Sequence, residues 1–324
     1  DIEMMYEIES DSIAIQDLAL VITRIREGMQ LAREIAPIGM ELIGRESIRR
    51  YLLLGQSADE IRATGGFVSA VWLLTVRDGE LIDIEYFDAV RVDDWNRLNL
   101  YPSAPHALAR HMNARVWLIR DVSWEPDFPT TARTAADMFL IGQRRKVDGV
   151  IAMNQWTMLS LVEVIGGIRS PEGDEITAHN LFSKLEQGTD RHGRAYVDLV
   201  LQGLTDKLKG QRSLTEMISI ASAAARSLEN RDLLIYLNDS AQQSVIDSLG
   251  WTGSIQSVST DYLFIVDSNV GWSKADRNIE RRLTYVADLT RSTETRIKLS
   301  IEYKNHSGPG SAGCVPQWLN KGTN

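Results

Sequence analysis

The sequence predicts an α/β fold, a three-layer α/β/α sandwich with a mixed central sheet. Short apolar runs recur along the chain, and long patterns with helical spacing separate most of them. The runs that indicate strands are residues 50–54, 67–77, 81–87, 147–153 and 233–237. Strands that are apolar on both faces are typical of a sheet that helices cover on both sides, so we expect three layers.

An apolar stripe marks an N-terminal helix from about residue 12 to residue 36, and Pro37 is expected to end it. The stripe either packs on its own domain or forms a coiled-coil stalk or an oligomer seam, and three heptads do not separate these alternatives. Its members recur at spacings of three and four: Ile15, Leu18, Ile22, Ile25, Met29, Ala32 and Ala36.

The first half of the α/β region is expected to be rich in strands. The turn at Asp78-Gly79 joins the second and third strands as a hairpin. The acidic stretch 88–105 has the composition of a loop. Thr130 or Thr131 is expected to cap a helix that runs to about residue 145, just before the fourth strand.

Helices predominate in the second half, at residues 156–165, 180–209, 214–229 and up to 249. Gly166-Gly167 end the first of them, an interruption is expected near Gly193 in the second, and Asp239 or Ser240 caps the last. Three further strands are predicted at 262–266, 281–289 and 295–303, the last two as a hairpin. The chain thus divides into an N-terminal helical segment (1–48), an α/β domain (49–305) and a flexible tail (306–324).

Composition excludes several classes of protein. The net charge of -9 argues against non-specific nucleic-acid binding, because phosphates repel an acidic surface. One cysteine, Cys314, excludes an internal disulfide framework and a Cys-rich metal site. No apolar run approaches the roughly 18–20 residues of a membrane span, and no signal peptide is visible. The chain begins at Asp1, so we expect a piece of a longer protein.

The loop after the first strand holds the first candidate site. It carries Asp59, Glu60 and Arg62, and then Gly65-Gly66 before the second apolar strand. An Arg between two core strands needs an anion or an acidic partner. Arg62 therefore either binds a phosphate group or forms a structural ion pair, with Asp59 or Glu60 as the expected partner.

Two more loops combine polar and aromatic residues. In the loop 120–129, Arg120, Trp124 and Asp127 suit a sugar, with the Trp stacked on a ring face and the carboxylate accepting hydroxyl groups. The alternative is a loop held by its own Asp and Trp contacts. The stretch 267–276, with Asp267, Asn269, Lys274 and Asp276, resembles part of a cation loop but lacks the EF-hand spacing.

Five motifs in order resemble a bacterial cell-surface family known as domain of unknown function 4012 (DUF4012). The resemblance runs from about residue 49 to the C-terminus and implies an extracytoplasmic protein, anchored in the membrane by a segment absent from this chain. The motifs are Tyr51-Leu-Leu-Leu-Gly-Gln-Ser through Gly66, Arg120-Asp-Val-Ser-Trp through Pro129, Val147-Asp-Gly-Val-Ile-Ala152, Leu233-Leu-Ile-Tyr-Leu-Asn-Asp239 and Val266-Asp-Ser-Asn-Val-Gly271.

A more distant resemblance is to the LytR-CpsA-Psr (LCP) phosphotransferases, which attach glycopolymers to bacterial cell walls. That family transfers a phosphoglycosyl group from a polyprenyl-pyrophosphate lipid. The matching segments are Leu52-Leu-Leu-Gly55 through Arg62 to Leu73, Val147 to Ala152 followed by Leu161-Val-Glu-Val-Ile-Gly-Gly-Ile168, and Asp190-Arg-His-Gly-Arg194.

The second resemblance implies a site for a lipid pyrophosphate. Arg62, Arg191 and Arg194 are the implied catalytic residues, because planar guanidinium groups suit bidentate contacts with phosphate. Asp59 or Asp190 is the implied Mg²⁺ ligand. The remaining substrate-binding candidates are Thr64, Gly65, Gly66, Arg120, Trp124 and Asp127.

Departures from the LCP pattern leave two hypotheses open. The family's Arg-Ser-Asp triplet is replaced by Arg62-Ala-Thr64, which removes a carboxylate, and Asp88-Ala-Val-Arg91 is a loose substitute for a Pro-Arg-Asp triplet. The first hypothesis is an LCP-like protein of envelope polysaccharide attachment or export, a glycopolymer phosphotransferase if active. The second is a non-catalytic structural or glycan-binding surface protein, with a homo-oligomer or an envelope assembly as its expected context.

Overall fold

A five-stranded mixed sheet forms the centre of the computed structural model, which describes residues 23, 26, 33–170, 173, 175–210, 212–259, 261–271, 273–290 and 294–308. The strands are β1 (Arg49–Ser57), β2 (Phe67–Arg77), β3 (Glu80–Asp88), β4 (Gly149–Asn154), β5 (Ile168–Arg169), β6 (Glu175–Ile176), β7 (Leu233–Leu237), β8 (Ile279–Asp288) and β9 (Arg296–Asn305). The helices are α1 (33–42), α2 (Ala89–Val92), α3 (His106–Met112), α4 (Phe128–Gln143), α5 (Gln155–Val164), α6 (Leu181–His192), α7 (Ala195–Lys209), α8 (Leu214–Glu229) and α9 (Ser240–Ser248).

The order of strands in the central sheet is β3-β2-β1-β4-β7. Strands β1 and β4 pair in parallel, whereas the other neighbours pair antiparallel, so the prediction of a mixed sheet is confirmed. The Asp78-Gly79 turn joins β2 to β3 as expected. Strands β5 and β6, and strands β8 and β9, form two separate two-stranded sheets.

Alternation along β1 divides the core into two layers. Leu52 and Leu54 face one side, where they pack in a cluster with Phe128 and Phe139 of α4. Leu53 faces the other side and packs with residues of α5 and α7, among them Val162. Successive side chains of a strand point to opposite faces, so helices cover both faces of the sheet and the three-layer sandwich is confirmed.

Trp72 fills the middle of β2. Its indole is fully buried, and its Nε1 donates a 2.7 Å hydrogen bond to Asp198 of α7. Gly55, on the adjacent strand, makes room for the ring, because a Cβ at that position would lie 2.6 Å from Trp72 Cζ3. Helix α7 is therefore attached to the sheet by a hydrogen bond from a buried aromatic residue.

Several helix boundaries differ from those predicted. Asp127, and not Thr130 or Thr131, caps α4: its carboxylate accepts from the backbone N–H and the hydroxyl of Thr130. Asp239 caps α9 as expected, and Gly193 separates α6 from α7. A carboxylate accepts hydrogen bonds at a helix start better than a hydroxyl does, because the N–H groups there carry partial positive charge.

One region predicted from local pattern is wrong in type. The acidic stretch 88–105 is mostly irregular, as expected, and contains the short helix α2 and a 3₁₀ turn, Leu98–Leu100. Residues 262–266 are not a strand, because they have no pairing partner among the described residues. The adjacent Asp261 accepts a hydrogen bond from the hydroxyl of Tyr285 in β8. The hairpin of β8 and β9 forms as predicted and is exposed along most of both strands.

The N-terminal helix also departs from expectation. Pro37 lies inside α1 and does not end it. The helix continues because Ile38 is buried in a cluster with Leu237 and Trp251, and tertiary packing outweighs the hydrogen bond that a proline removes. The stripe from Ile15 to Met29 lies outside the described residues, as do Cys314 and most of the tail.

Gly66 is expected to be intolerant of a side chain. Its φ is +142°, and a Cβ would lie 2.1 Å from the carbonyl oxygen of Ser57. Gly66→Ala should therefore lower the free energy of unfolding by roughly 2–4 kcal/mol through strain and overpacking. Gly250→Ala is the matched control, because Gly250 has a φ of +73° and nothing within 4 Å of its added Cβ. Urea denaturation of both variants checks this, and equal losses would contradict it.

Candidate functional site

A groove of about 680 Å³ opens where the parallel strands β1 and β4 both end. It lies between the β1–β2 loop, the first turn of α5, helix α6 and the 3₁₀ turn Ala275–Asn278. We call it the sheet-end groove. Ligand sites of open α/β sheets occur at the carboxyl ends of strands, which makes this groove the candidate functional site.

The apolar wall of the sheet-end groove is formed by side chains from the core layer that contains Leu53, on the side of the sheet covered by α5 and α7. Trp72 and Val197 contribute from the sheet and α7, and Met153, Met158 and Leu185 complete the wall. These residues belong to or pack against the buried cluster of that layer. The wall is therefore continuous with the core and is rigid at its base.

Three cations line the rim of the groove. Arg194 pairs with Asp88 at 3.3 Å, and Arg277 pairs with Glu186 of α6 at 2.9 Å. Lys274 makes neither a hydrogen bond nor an ion pair through its ammonium group within the described residues. Because both ion pairs are partly exposed, each contributes only about 0–1 kcal/mol and can be exchanged for a ligand anion.

Acidic groups share the rim with these cations. Burial raises the pKa of Glu60, against the charges of Arg62, Lys274 and Arg194, which lower it. Asp276 accepts hydrogen bonds from the backbone of Ile61 at 2.9 Å and from the side chain of Asn269 at 2.7 Å. The loop 58–61 and the turn beside Asp276 are thus fixed to each other across the mouth of the groove.

Helix α5 holds the opposite lip. Asn154 caps the helix and also donates to Asp232 at 2.7 Å. The next residue, Gln155, accepts a 2.8 Å hydrogen bond from the backbone N–H of Ala58 through its Oε1. The β1–β2 loop is therefore tied to the start of α5, and Trp156 follows immediately at the lip.

Arg62 does not line the sheet-end groove. Its side chain is 1% exposed and forms a 2.8 Å ion pair with Asp121, whose side chain is 7% exposed. The ring centroid of Phe67 lies 5.6 Å from the guanidinium carbon of Arg62 and 5.9 Å from that of Arg194. The structural alternative is thus observed, but the acidic partner is Asp121 and not Asp59 or Glu60.

The other candidates of the β1–β2 loop pack beneath it. The backbone N–H of Thr64 donates to the carbonyl of Ser123, and Gln56 donates to both residues. Gly65 packs on Gln56, since an added Cβ would meet its Oε1 at 2.2 Å. Arg120 lies 3.5 Å from Asp121. The structure therefore brings these residues together with Arg62 in one buried polar layer.

The remaining candidates are dispersed. Asp190 and Arg191 are exposed at the end of α6, outside the lining of the groove, whereas Arg194 and Asp59 line it. Asp127 caps α4 on another side of the molecule and accepts from the backbone N–H of Ile255 at 3.1 Å. Burial would raise the pKa of Asp127, but hydrogen bonds from Thr130 and Ile255 and the charge of Arg133 hold it below its usual value.

Trp124 is half-buried at the end of the 3₁₀ turn Ile119–Trp124 and lies outside the lining of the groove. Its role in ligand binding stays a prediction. Sequence reasoning missed Trp156, Phe182, Lys274 and Arg277 as members of one groove. Nothing local could bring them together, because they come from three separate parts of the chain.

Mg²⁺ stays a prediction from resemblance. Within the described stretches, no three His, Cys, Asp or Glu side chains are grouped closely enough to hold a metal ion. Asp59 and Asp190 do not form such a group, and Asp267 is taken up by Arg281 and Tyr303. We therefore assign no step to a metal.

Comparison with known families identifies one match. Residues 46–189 match the family described as "Protein of unknown function (DUF4012)", which confirms the resemblance for the three motifs that lie within that stretch. The match does not extend to the motifs at 233–239 and 266–271, whose resemblance stays a prediction. No protein of curated function matches the sequence. Within the described residues, none of the helices has the length and apolar character that a bilayer crossing requires.

Similar solved structures include TagV of B. subtilis, with 10% identity, a TM-score of 0.40 and coverage of 64% of this chain and 81% of that one. Lin1025 of Listeria innocua has 14% identity, a TM-score of 0.36 and coverage of 64% and 78%. A LytR-Csp2A-Psr enzyme from Actinomyces oris has 9% identity, a TM-score of 0.34 and coverage of 62% and 74%. At these values the likeness carries no information on activity.

The Arg62–Asp121 pair is expected to stabilise the fold strongly once both partners are buried. Arg62→Ala removes the hydrogen-bonded partner of the buried Asp121 carboxylate and leaves it only the longer 3.5 Å contact with Arg120, so it should lower the free energy of unfolding by about 3 kcal/mol. Arg145→Ala is the matched control: it removes an ion pair with Glu85 that is 42% and 38% exposed, and should cost less than about 1 kcal/mol.

Urea denaturation compares the two variants. If Arg62→Ala does not fold, the double variant Arg62→Met with Asp121→Leu still tests the account, because replacing both charges should recover most of the loss. A cost below about 1 kcal/mol for Arg62→Ala would show that the pair is not the constraint described.

Asp93 should make stability depend on pH. Burial raises its pKa to about 7, against hydrogen bonds from Ile119 and Tyr101 and the charge of Arg120, which lower it. The folded state therefore binds a proton that the unfolded state has lost above about pH 4, so this group's contribution to stability falls as pH rises from about 4 to about 7.

Asp93→Asn keeps an acceptor for Ile119 without a charge. The free energy of unfolding of this variant, relative to that of the wild type, should rise by up to about 4 kcal/mol between about pH 4 and pH 7, because one pKa unit corresponds to 1.36 kcal/mol. Denaturation at several pH values measures the difference, with Asp83→Asn on the exposed part of β3 as control. A difference that stays constant with pH would contradict the assignment.

Proposed function

We propose that this chain is a cell-envelope protein that binds a polyprenyl-pyrophosphate-linked glycan in the sheet-end groove. The observation that carries the proposal is a groove with an apolar wall and with Arg194 and Lys274 at its rim. An amphiphile with an apolar chain and a compact double anion matches that arrangement. The class of lipid comes from the sequence resemblance to the LCP phosphotransferases.

The apolar wall supports a prenyl chain as the hydrophobic part of the ligand. Met153 and Met158 flank Trp72 along the wall. Methionine side chains are flexible and adapt to irregular apolar shapes. A branched prenyl chain placed there would be removed from contact with water. It would displace no charged group, since the charges lie at the rim.

The rim supports pyrophosphate as the anionic part. The guanidinium of Arg194 is one-third exposed and its partner Asp88 also caps α2, so the pair need not stay closed for the fold to hold. Guanidinium binds phosphate oxygens in pairs. The ammonium of Lys274 adds a point charge that forms no hydrogen bond with the described residues, although its charge acts on Glu60 and Glu186. We assign pyrophosphate to these two residues.

A second candidate is binding without group transfer, as in a non-catalytic glycan-binding surface protein. The burial of Arg62 against Asp121 favours it, because this arginine is occupied within the protein. So does the absence of the acidic triplet at Arg62-Ala-Thr64. In either case we propose an extracytoplasmic location and an anchor outside this chain, on the strength of the DUF4012 resemblance.

Calorimetric titration with a short-chain prenyl pyrophosphate, with and without Mg²⁺, tests the site. Arg194→Ala should weaken binding about tenfold or more, because a charge-assisted hydrogen bond contributes roughly 1.5–3 kcal/mol. Arg191→Ala is the matched control, since Arg191 is exposed and outside the lining three residues earlier. No heat at millimolar ligand, or equal losses in the two variants, would refute the proposal.

A further inference from the structure

The lip of the sheet-end groove formed by α5 and α6 carries an exposed aromatic pair. Trp156 and Phe182 pack edge to face, with ring centroids 4.9 Å apart and planes at 85°. They are 46% and 38% exposed although both line the groove. Large apolar rings left in contact with water at the edge of a cavity are a feature of binding surfaces.

Two polar groups that lack a hydrogen-bond partner among the described residues line the groove together with Trp156. The side chain of Gln155 uses its Oε1 to accept from Ala58, which leaves its Nε2 without a hydrogen bond in the described structure. The next residue along that loop, Asp59, lines the groove, and its carboxylate accepts no hydrogen bond from the described residues, although its charge acts on Arg277. Trp156 thus adjoins one unused donor group and one unused acceptor group.

These three side chains match a sugar ring better than they match either end of the lipid. A pyranose offers C–H groups to an aromatic face and hydroxyl groups that both donate and accept. A prenyl chain in this place would remove water from Asp59 and Gln155 without replacing its hydrogen bonds. A phosphate group in contact with Asp59 would meet its carboxylate and be repelled.

The length of the groove separates this lip from Arg194, whereas Arg277 lies nearer to the lip, paired with Glu186. Phe182 and Thr189 of α6 both line the groove and lie seven residues apart, which is about 10 Å along a helix. Arg194 follows beyond the end of α6. A ligand that reaches from Arg194 to Trp156 therefore has room for a pyrophosphate and at least one sugar between them.

We propose that Trp156, Asp59 and Gln155 form a subsite for a neutral sugar ring of the glycan. The ring stacks on Trp156, its hydroxyl groups donate to the Asp59 carboxylate, and one hydroxyl oxygen accepts from Gln155 Nε2. The identity of the carrier lipid rests on the proposed function, whereas the sugar contacts rest on the aromatic lip itself.

Binding of three probes distinguishes the subsite from the lipid site. The probes are a short-chain prenyl pyrophosphate, the same lipid carrying a neutral disaccharide (cellobiose, maltose or di-N-acetylchitobiose), and the free disaccharides. Trp156→Ala should lower affinity for the best glycosylated lipid roughly tenfold and leave the bare prenyl pyrophosphate unchanged. Trp95→Ala, at another tryptophan that is about half exposed, is the matched control.

Asp59→Asn should act like Trp156→Ala, and its effect should be the same in EDTA as in Mg²⁺. Equal weakening of both lipids by Trp156→Ala would assign the aromatic lip to the prenyl chain and overturn the proposal, as would no effect on either. An Asp59→Asn effect confined to Mg²⁺ would place a metal there instead of a hydroxyl. If bare prenyl pyrophosphate does not bind but a free disaccharide binds through Trp156, the subsite stands and the lipid proposal fails.

Discussion

The buried ion pair between Arg62 and Asp121 is the constraint on which the candidate site depends. A guanidinium between two core strands requires a buried acid, and the acid that meets it comes from the 3₁₀ turn Ile119–Trp124, 59 residues further along the chain. Once the pair is closed, the β1–β2 loop is fixed over that turn, and hydrogen bonds from Thr64 and Gln56 to Ser123 complete the contact. This layer thereby positions part of the groove's rim, since the same loop supplies Asp59 and Glu60 to the lining.

Phe67 transmits this constraint to the groove. The guanidinium carbons of buried Arg62 and of partly exposed Arg194 lie 5.6 and 5.9 Å from the centroid of its ring. An aromatic ring attracts cations on its face, and the attraction is stronger where water is excluded. The position of Arg194 therefore depends on Phe67, which also lines the groove. The apolar wall is positioned in a similar way, because a hydrogen bond to Asp198 of α7 fixes the ring of Trp72.

Local pattern was sufficient for most of the sheet and helices, and insufficient for the site. Strand β2 and helix α8 have the predicted bounds, because their apolar period is unbroken and their ends carry clear signals, such as the capping box of Ser213 and Glu216. Pro37 and the segment 262–266 were misjudged, since packing on Ile38 and the lack of a pairing strand are not local properties. The partner of Arg62 was misjudged for the same reason: Asp59 and Glu60 are near in sequence, but Asp121 is the acid that folding buries beside it.

Burial also decides which arginines a ligand can reach. The resemblance to the LCP phosphotransferases selects Arg62, Arg191 and Arg194 alike, because it compares positions along the chain. In the folded protein, breaking the Arg62–Asp121 pair would cost about 3 kcal/mol, whereas opening the exposed pairs at the rim costs about 0–1 kcal/mol each. Under the proposed function, a pyrophosphate would therefore compete with Asp88 for Arg194 but not with Asp121 for Arg62. The ligand chemistry proposed for the groove then depends on Arg194, Lys274 and the aromatic lip, and Arg62 would serve it by holding the loop beneath.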